Sequence, residues 1–329
     1  MGVVGLWLAG GFLWDSWAHL HVGVESFFTP YHAVFYSAML AGGIVLGASA
    51  WRNRSRGLRA SSAPYRRAMW GVPLFFLGGA GDLLWHSFFG VEDRIEAVTS
   101  PTHLIIGFAV LLFLSGPIGS ALAERTALRT LRSQLPLIFA LATAMEFVHL
   151  GTSYAFDVGA ARPLGPAPAL GGSPDYFIAT AFALYKAGTG VLIVIVQSLI
   201  LAGFGLWLAC RFAPAFGALT LLFLLGEVMM AAALTNDSPL LAVHVAMALV
   251  AGLLADTLAA RMRPGASRPR ALRIFGAAVP AAYFTTYFAL TIVLQGTWWN
   301  WSLIVGAIVW SAIAGVGLTF LIEAKTAVT

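Results

Sequence analysis

The 329 residues are 59% hydrophobic and only 10% charged, with a mean hydropathy of +0.84, against about 25% charged residues in a soluble domain. That excludes a soluble globular fold, because no core of this size buries so much apolar surface. The net charge of +5 comes from basic residues in short loops between apolar runs, which excludes a nucleic-acid face, and the one cysteine, Cys210, excludes an intrachain disulfide or a Cys-ligated cluster.

A membrane-spanning helix needs about 20 mostly apolar residues. By that criterion the chain is predicted to be an all-α polytopic membrane protein of about ten transmembrane helices, at roughly 3–20, 31–51, 69–89, 101–122, 134–151, 177–210, 214–234, 239–260, 271–294 and 299–322. In the first run, Trp14-Asp15-Ser16-Trp17 is a poor match to a small-residue cleavage site, so it is expected to remain as a helix rather than act as a signal peptide. The sixth run is too long for one upright span, and an interfacial helix around Tyr176–Lys186 is expected to precede it.

Orientation follows from the loops. Arg52, Arg54, Arg56, Arg59, Arg66 and Arg67 follow the second run, Arg125, Arg129 and Arg132 the fourth, and Arg211 the sixth. Arg261, Arg263, Arg268, Arg270 and Arg273 follow the eighth, and Lys325 lies in the tail. These are 16 of the 19 basic residues, leaving Arg94, Arg162 and Lys186 for the other side. The positive-inside rule then predicts that both termini are cytoplasmic. The opposite face would carry Glu25, Glu92, Asp93, Glu96, Asp157, Asp175 and Asp237, together with the Pro- and Gly-rich stretch Tyr154–Pro174. Trp298, Trp299 and Trp301 are expected to form an interfacial aromatic belt. The last two runs offer no titratable group expected to be functional.

Within residues 1–122 two stretches look alike, while 123–329 supply further helices without an assigned role. The first contains Trp14-Asp15-Ser16-Trp17-Ala18-His19, then Phe28-Thr29-Pro30-Tyr31-His32. The second contains Gly81-Asp82-Leu83-Leu84-Trp85-His86, then Ser100-Pro101-Thr102-His103. Each reads Asp-x3-His near one end of a helix, a short acidic loop, and Thr/Ser-Pro-x-His opening the next. Residues four apart share a helical face, so Asp15 with His19, and Asp82 with His86, can address one object. Thr29 and Ser100 suit the N-cap, and Pro30 and Pro101 the first helical position. His32 and His103 are thereby predicted in a first turn, near the preceding pair. Asp, His and His form a three-ligand set for copper, zinc or iron. Glu146, His149, Glu227 and His244 are candidate further ligands on the same side, whereas His21 is expected to serve helix packing.

The run Asp15-x3-His19-x12-His32, with Phe28-Thr29-Pro30 before the last histidine and Phe35-Tyr36-Ser37 after it, resembles the C subunit of particulate methane and ammonia monooxygenases. The resemblance covers roughly residues 10–115. That family carries a second site on the next hairpin with Asn-x3-His and a later Pro-x-His, where this chain has Asp82, His86 and Pro101-Thr102-His103. Asp82 therefore stands in place of Asn, and the sixteen residues between His86 and His103 exceed the family's spacing. The resemblance implies copper as cofactor, oxidation of a small apolar substrate with O2, a quinol or another electron donor, and partner membrane subunits or a homo-oligomer. The expected location is a bacterial inner (plasma) membrane with the sites near its outer face. A metal-ion or proton-coupled transporter, or another metal-handling protein, is the alternative from the residues alone. A b-type cytochrome ranks lower, because paired haem ligands give no reason for an Asp four residues before each His.

Overall fold

In hydrocarbon a backbone N–H or C=O has no water to bond, so an apolar run closes its hydrogen bonds internally as a helix. The computed structural model describes residues 2–22, 26–52, 64–91, 99–124, 128–153, 176–234 and 238–326. Among them are ten helices: α1 Gly2–His21, α2 Pro30–Arg52, α3 Arg66–Phe89, α4 Pro101–Ala123, α5 Leu131–Ser153, α6 Tyr176–Arg211, α7 Ala218–Leu234, α8 Ser238–Met262, α9 Pro269–Gln295 and α10 Trp301–Thr326. The described residues form no strand beyond an isolated bridge between Gly265 and Arg268. The expected acids Glu25, Glu92, Asp93, Glu96, Asp157, Asp175 and Asp237 lie outside the described residues, as do Arg54, Arg56, Arg59, Arg94, Arg125, Arg162 and the stretch Tyr154–Pro174.

Each of the ten predicted runs coincides with one helix, and eight of these are long and apolar enough to cross a membrane. The two others differ for separate reasons. α7 has 17 residues and at about 1.5 Å per residue falls short of a hydrocarbon layer about 30 Å thick. α1 reaches 20 residues, but Asp15, Ser16, His19 and His21 interrupt its apolar character. α6 runs unbroken for 36 residues, so no interruption separates an interfacial helix from the span.

The chain divides into two compact units, Met1–Phe147 with Met229–Leu234, and Val148–Val228 with Thr235–Thr329. In the first, α1 packs on α2, α2 on α3, and α3 on α4. Phenylalanines join these layers: Phe12 stacks on Phe147 with ring centroids 3.7 Å apart, and Phe35 meets Phe12 at 5.6 Å and Phe75 at 5.2 Å. Such pairs fix the helices rigidly, because each large ring excludes its neighbours from any other position.

In the second unit α8 packs on α9, α9 on α10, and both α9 and α10 on α6. Asp256 of α8 is buried, yet it accepts hydrogen bonds from the backbone N–H groups of Gly217, Leu219 and Thr220 and from the Thr220 hydroxyl. It caps α7, whose first N–H groups have no partner within their own helix. The three tryptophans also divide: Trp301 is exposed, whereas Trp299 is buried against Phe288. Trp299 therefore packs within the unit instead of joining the expected belt.

Candidate metal centre

Helix ends bring the ligands together. Asp15 and His19 lie in the last turns of α1, and His32 in the first turn of α2. The backbone N–H of His32 donates to Thr29 Oγ1 at 3.2 Å, so Thr29 caps α2 as its sequence position predicts. In the next hairpin, Asp82 and His86 lie near the end of α3, and His103 in the first turn of α4. Ser100 caps α4 by accepting from the His103 N–H, with Pro101 opening the helix.

The sets Asp15/His19/His32 and Asp82/His86/His103 each offer three ligand atoms, all within 4.8 Å of one another. His32 Nε2 lies 3.6 Å from Asp15 Oδ1 and 3.3 Å from His19 Nε2. His86 Nε2 lies 3.3 Å from Asp82 Oδ2, and His103 Nε2 lies 3.3 Å from Asp82 Oδ1. Four donors about 2.0 Å from a tetrahedral metal are about 3.3 Å apart, so the separations suit a shared ion. All four histidines turn the same nitrogen, Nε2, toward the carboxylates or each other.

For His32 and His86 the opposite ring nitrogen explains that orientation. His32 Nδ1 lies 2.7 Å from the Phe27 carbonyl oxygen, and the ring stacks on Phe27. His86 Nδ1 lies 3.1 Å from the Gly90 carbonyl oxygen. A carbonyl only accepts, so in the neutral imidazole Nδ1 carries the proton and Nε2 presents a lone pair. This is the usual support of a metal-bound histidine. Gly90 makes it available: it ends α3 with φ +82°, a backbone conformation that favours glycine, and its N–H closes on the His86 carbonyl.

The two sets are not equivalent. Asp82 accepts a 2.7 Å hydrogen bond from Thr102 Oγ1, while Tyr31 occupies the corresponding place in the first hairpin. Asp15 Oδ1 is buried without a hydrogen-bond partner. A buried carboxylate oxygen without a donor is costly, and a cation is the natural group to satisfy it. The donor set therefore fits a metal, and the first triad more openly than the second.

The triads also adjoin. The rings of His19 and His103 lie 6.3 Å apart, linking the first hairpin to the second, and Asp15 is in electrostatic reach of both His103 and Asp82. Six ligands from α1–α4 thus form one cluster within the first unit.

Other predicted residues fall elsewhere. His21 is exposed, bonds the Trp17 carbonyl and stacks on Trp17, consistent with a local packing role. Glu146 and His149 are buried one turn apart on α5. Glu227 and His244 pair between α7 and α8, and Tyr283 of α9 also hydrogen-bonds Glu227. None of these four predicted residues falls in either compact triad. Sequence reasoning missed Thr102, although it sits between Pro101 and His103 in the motif itself. It also missed Asp256 and Tyr283, whose partners lie far away in sequence.

The geometry stands on this chain alone. No family model, curated protein or solved structure matches the chain.

Proposed function

We propose that this chain is an integral membrane metalloprotein whose adjoining triads hold two metal ions, copper in the first instance. The observation that carries this reading is the convergence of four Nε2 atoms, the buried Asp82 carboxylate and the half-buried Asp15 carboxylate on one cluster, with the buried Asp15 Oδ1 lacking a hydrogen-bond donor. Copper, rather than zinc or iron, rests on the resemblance of Asp15-x3-His19-x12-His32 to the C subunit of copper membrane monooxygenases. On the same basis the role is oxidation of a small apolar substrate with O2, with a quinol or another donor supplying electrons and partner membrane subunits completing the assembly.

Counted over ten crossings, the short α7 and the polar-ended α1 included, sixteen of the 19 basic residues lie on one side, which supports cytoplasmic termini and the centre near the outer face of a bacterial inner membrane. Bound copper would supply one-electron chemistry toward oxygen. Asp15, His19 and His32, with Asp82, His86 and His103, would hold it. The carbonyls of Phe27 and Gly90 would keep His32 and His86 in the correct tautomer, and Thr102 would orient Asp82. The surrounding phenylalanines would exclude water and admit an apolar molecule from the lipid. Against metal or proton transport, Asp256 at the opposite end of α8 is engaged in capping α7, so it offers no onward site.

The test is elemental analysis of the detergent-purified protein beside His32→Ala and His103→Ala. Two equivalents of copper in the wild type and one in each variant are expected. Absence of stoichiometric metal after reconstitution refutes the proposal.

A further inference from the structure

One buried polar group at the centre has no counterpart in the ligand sets. Tyr36 lies one helical turn beyond His32 on α2, so the two side chains share a face. Five aromatic rings hold its phenol: Phe75 at 4.9 Å, Phe27 at 5.7 Å, Phe35 and His32 at 6.1 Å, and Phe76 at 6.3 Å between centroids. Gly79 of α3 completes the fit. A Cβ there would lie 2.6 Å from the Tyr36 hydroxyl oxygen and 2.5 Å from its ring, so only glycine lets the phenol lie against the helix.

That hydroxyl is buried and has no hydrogen-bond partner, although it is within electrostatic reach of both Asp82 and Asp15. The Asp82 oxygens already face Thr102, His103 and His86. A rigidly held O–H one turn from the His32 ligand that bonds no protein acceptor is set to donate to a group bound at the centre. Buried donors are normally satisfied, and a small anion bound to a metal is an acceptor of the right charge and size.

We infer that the Tyr36 hydroxyl forms an anion subsite of the centre, donating a hydrogen bond to a small exogenous ligand such as hydroxide or azide held on the metal. The inference rests on the metal reading above. The phenol does not ligate the metal; it selects ligands that accept a hydrogen bond over ligands of equal size that do not.

The experiment titrates azide into the Cu(II)-loaded protein, followed by the azide-to-copper charge-transfer absorption, with Tyr36→Phe and Gly79→Ala in parallel. Tyr36→Phe keeps the ring and its packing and is expected to retain the copper stoichiometry while binding azide about tenfold more weakly, the effect of one hydrogen bond to a charged acceptor. Gly79→Ala displaces the phenol and is expected to weaken azide in the same direction. Equal azide affinity in wild type and Tyr36→Phe overturns the inference, as does a copper-loaded wild type that binds no azide. Loss of copper from Tyr36→Phe also overturns it, since the phenol would then be holding the metal itself. A wild type that binds no copper removes the metal reading and this inference together, which separates the two failures.

Discussion

Asp15→Asn tests the first triad with the least disturbance of the fold. Asn has the shape of Asp, and Asp15 Oδ1 has no hydrogen-bond donor to lose. Neutralising the side chain removes a largely buried charge, which leaves the metal-free protein as stable as before or more so. The metal-bound state changes in the opposite direction, because a charged ligand 3.6 Å from His32 Nε2 is gone. Even residues supporting metal ligands typically contribute a factor of about 10–100 in affinity, and 100 is a reasonable figure for a ligand itself. At metal equal to about 100 times the wild-type Kd, binding stabilises the wild type by about 2.7 kcal/mol. The same metal concentration then equals the variant's Kd and stabilises it by only about 0.4 kcal/mol. Thermal unfolding in detergent, with and without metal, measures both quantities, provided the triads are separated by a parallel His103→Ala background. An unchanged metal-induced shift in Asp15→Asn refutes the ligand assignment. A large fall in the metal-free midpoint refutes the argument that Asp15 is unsatisfied without a cation.

Further outcomes follow from the same geometry. Thr102→Val removes the 2.7 Å hydrogen bond to Asp82 and is expected to weaken metal at the second triad about tenfold, read by competition with a chelator. Because the His19 and His103 rings lie 6.3 Å apart, the fully Cu(II)-loaded protein should show less EPR intensity per copper than the half-loaded protein; equal intensity would mean two independent ions. Acidification should release metal reversibly, since protons compete for the imidazole nitrogens, and equilibrium dialysis across pH reads the loss. Asp256→Ala leaves three backbone N–H groups at the start of α7 without their acceptor and should lower stability by about 2 kcal/mol, with metal stoichiometry unchanged.

Much of this protein is already written in its sequence. The ten apolar runs coincide with ten helices because hydrocarbon leaves the backbone no alternative, so segment composition alone decides local structure. Thr29-Pro30 and Ser100-Pro101 announce the starts of α2 and α4, since capping is settled within a few residues. Helical periodicity likewise pairs Asp15 with His19 and Asp82 with His86. Length and apolarity separate eight of the helices from α1 and α7, a distinction that counting apolar runs had not drawn. What required the tertiary structure was every relation between helices. That the two hairpins adjoin through His19 and His103, that Tyr36 lies against Gly79, and that Asp256 caps α7 instead of lining a path all depend on packing between distant segments. Hydropathy says which residues enter the membrane; side-chain shape and the need to satisfy each buried polar group decide which of them meet.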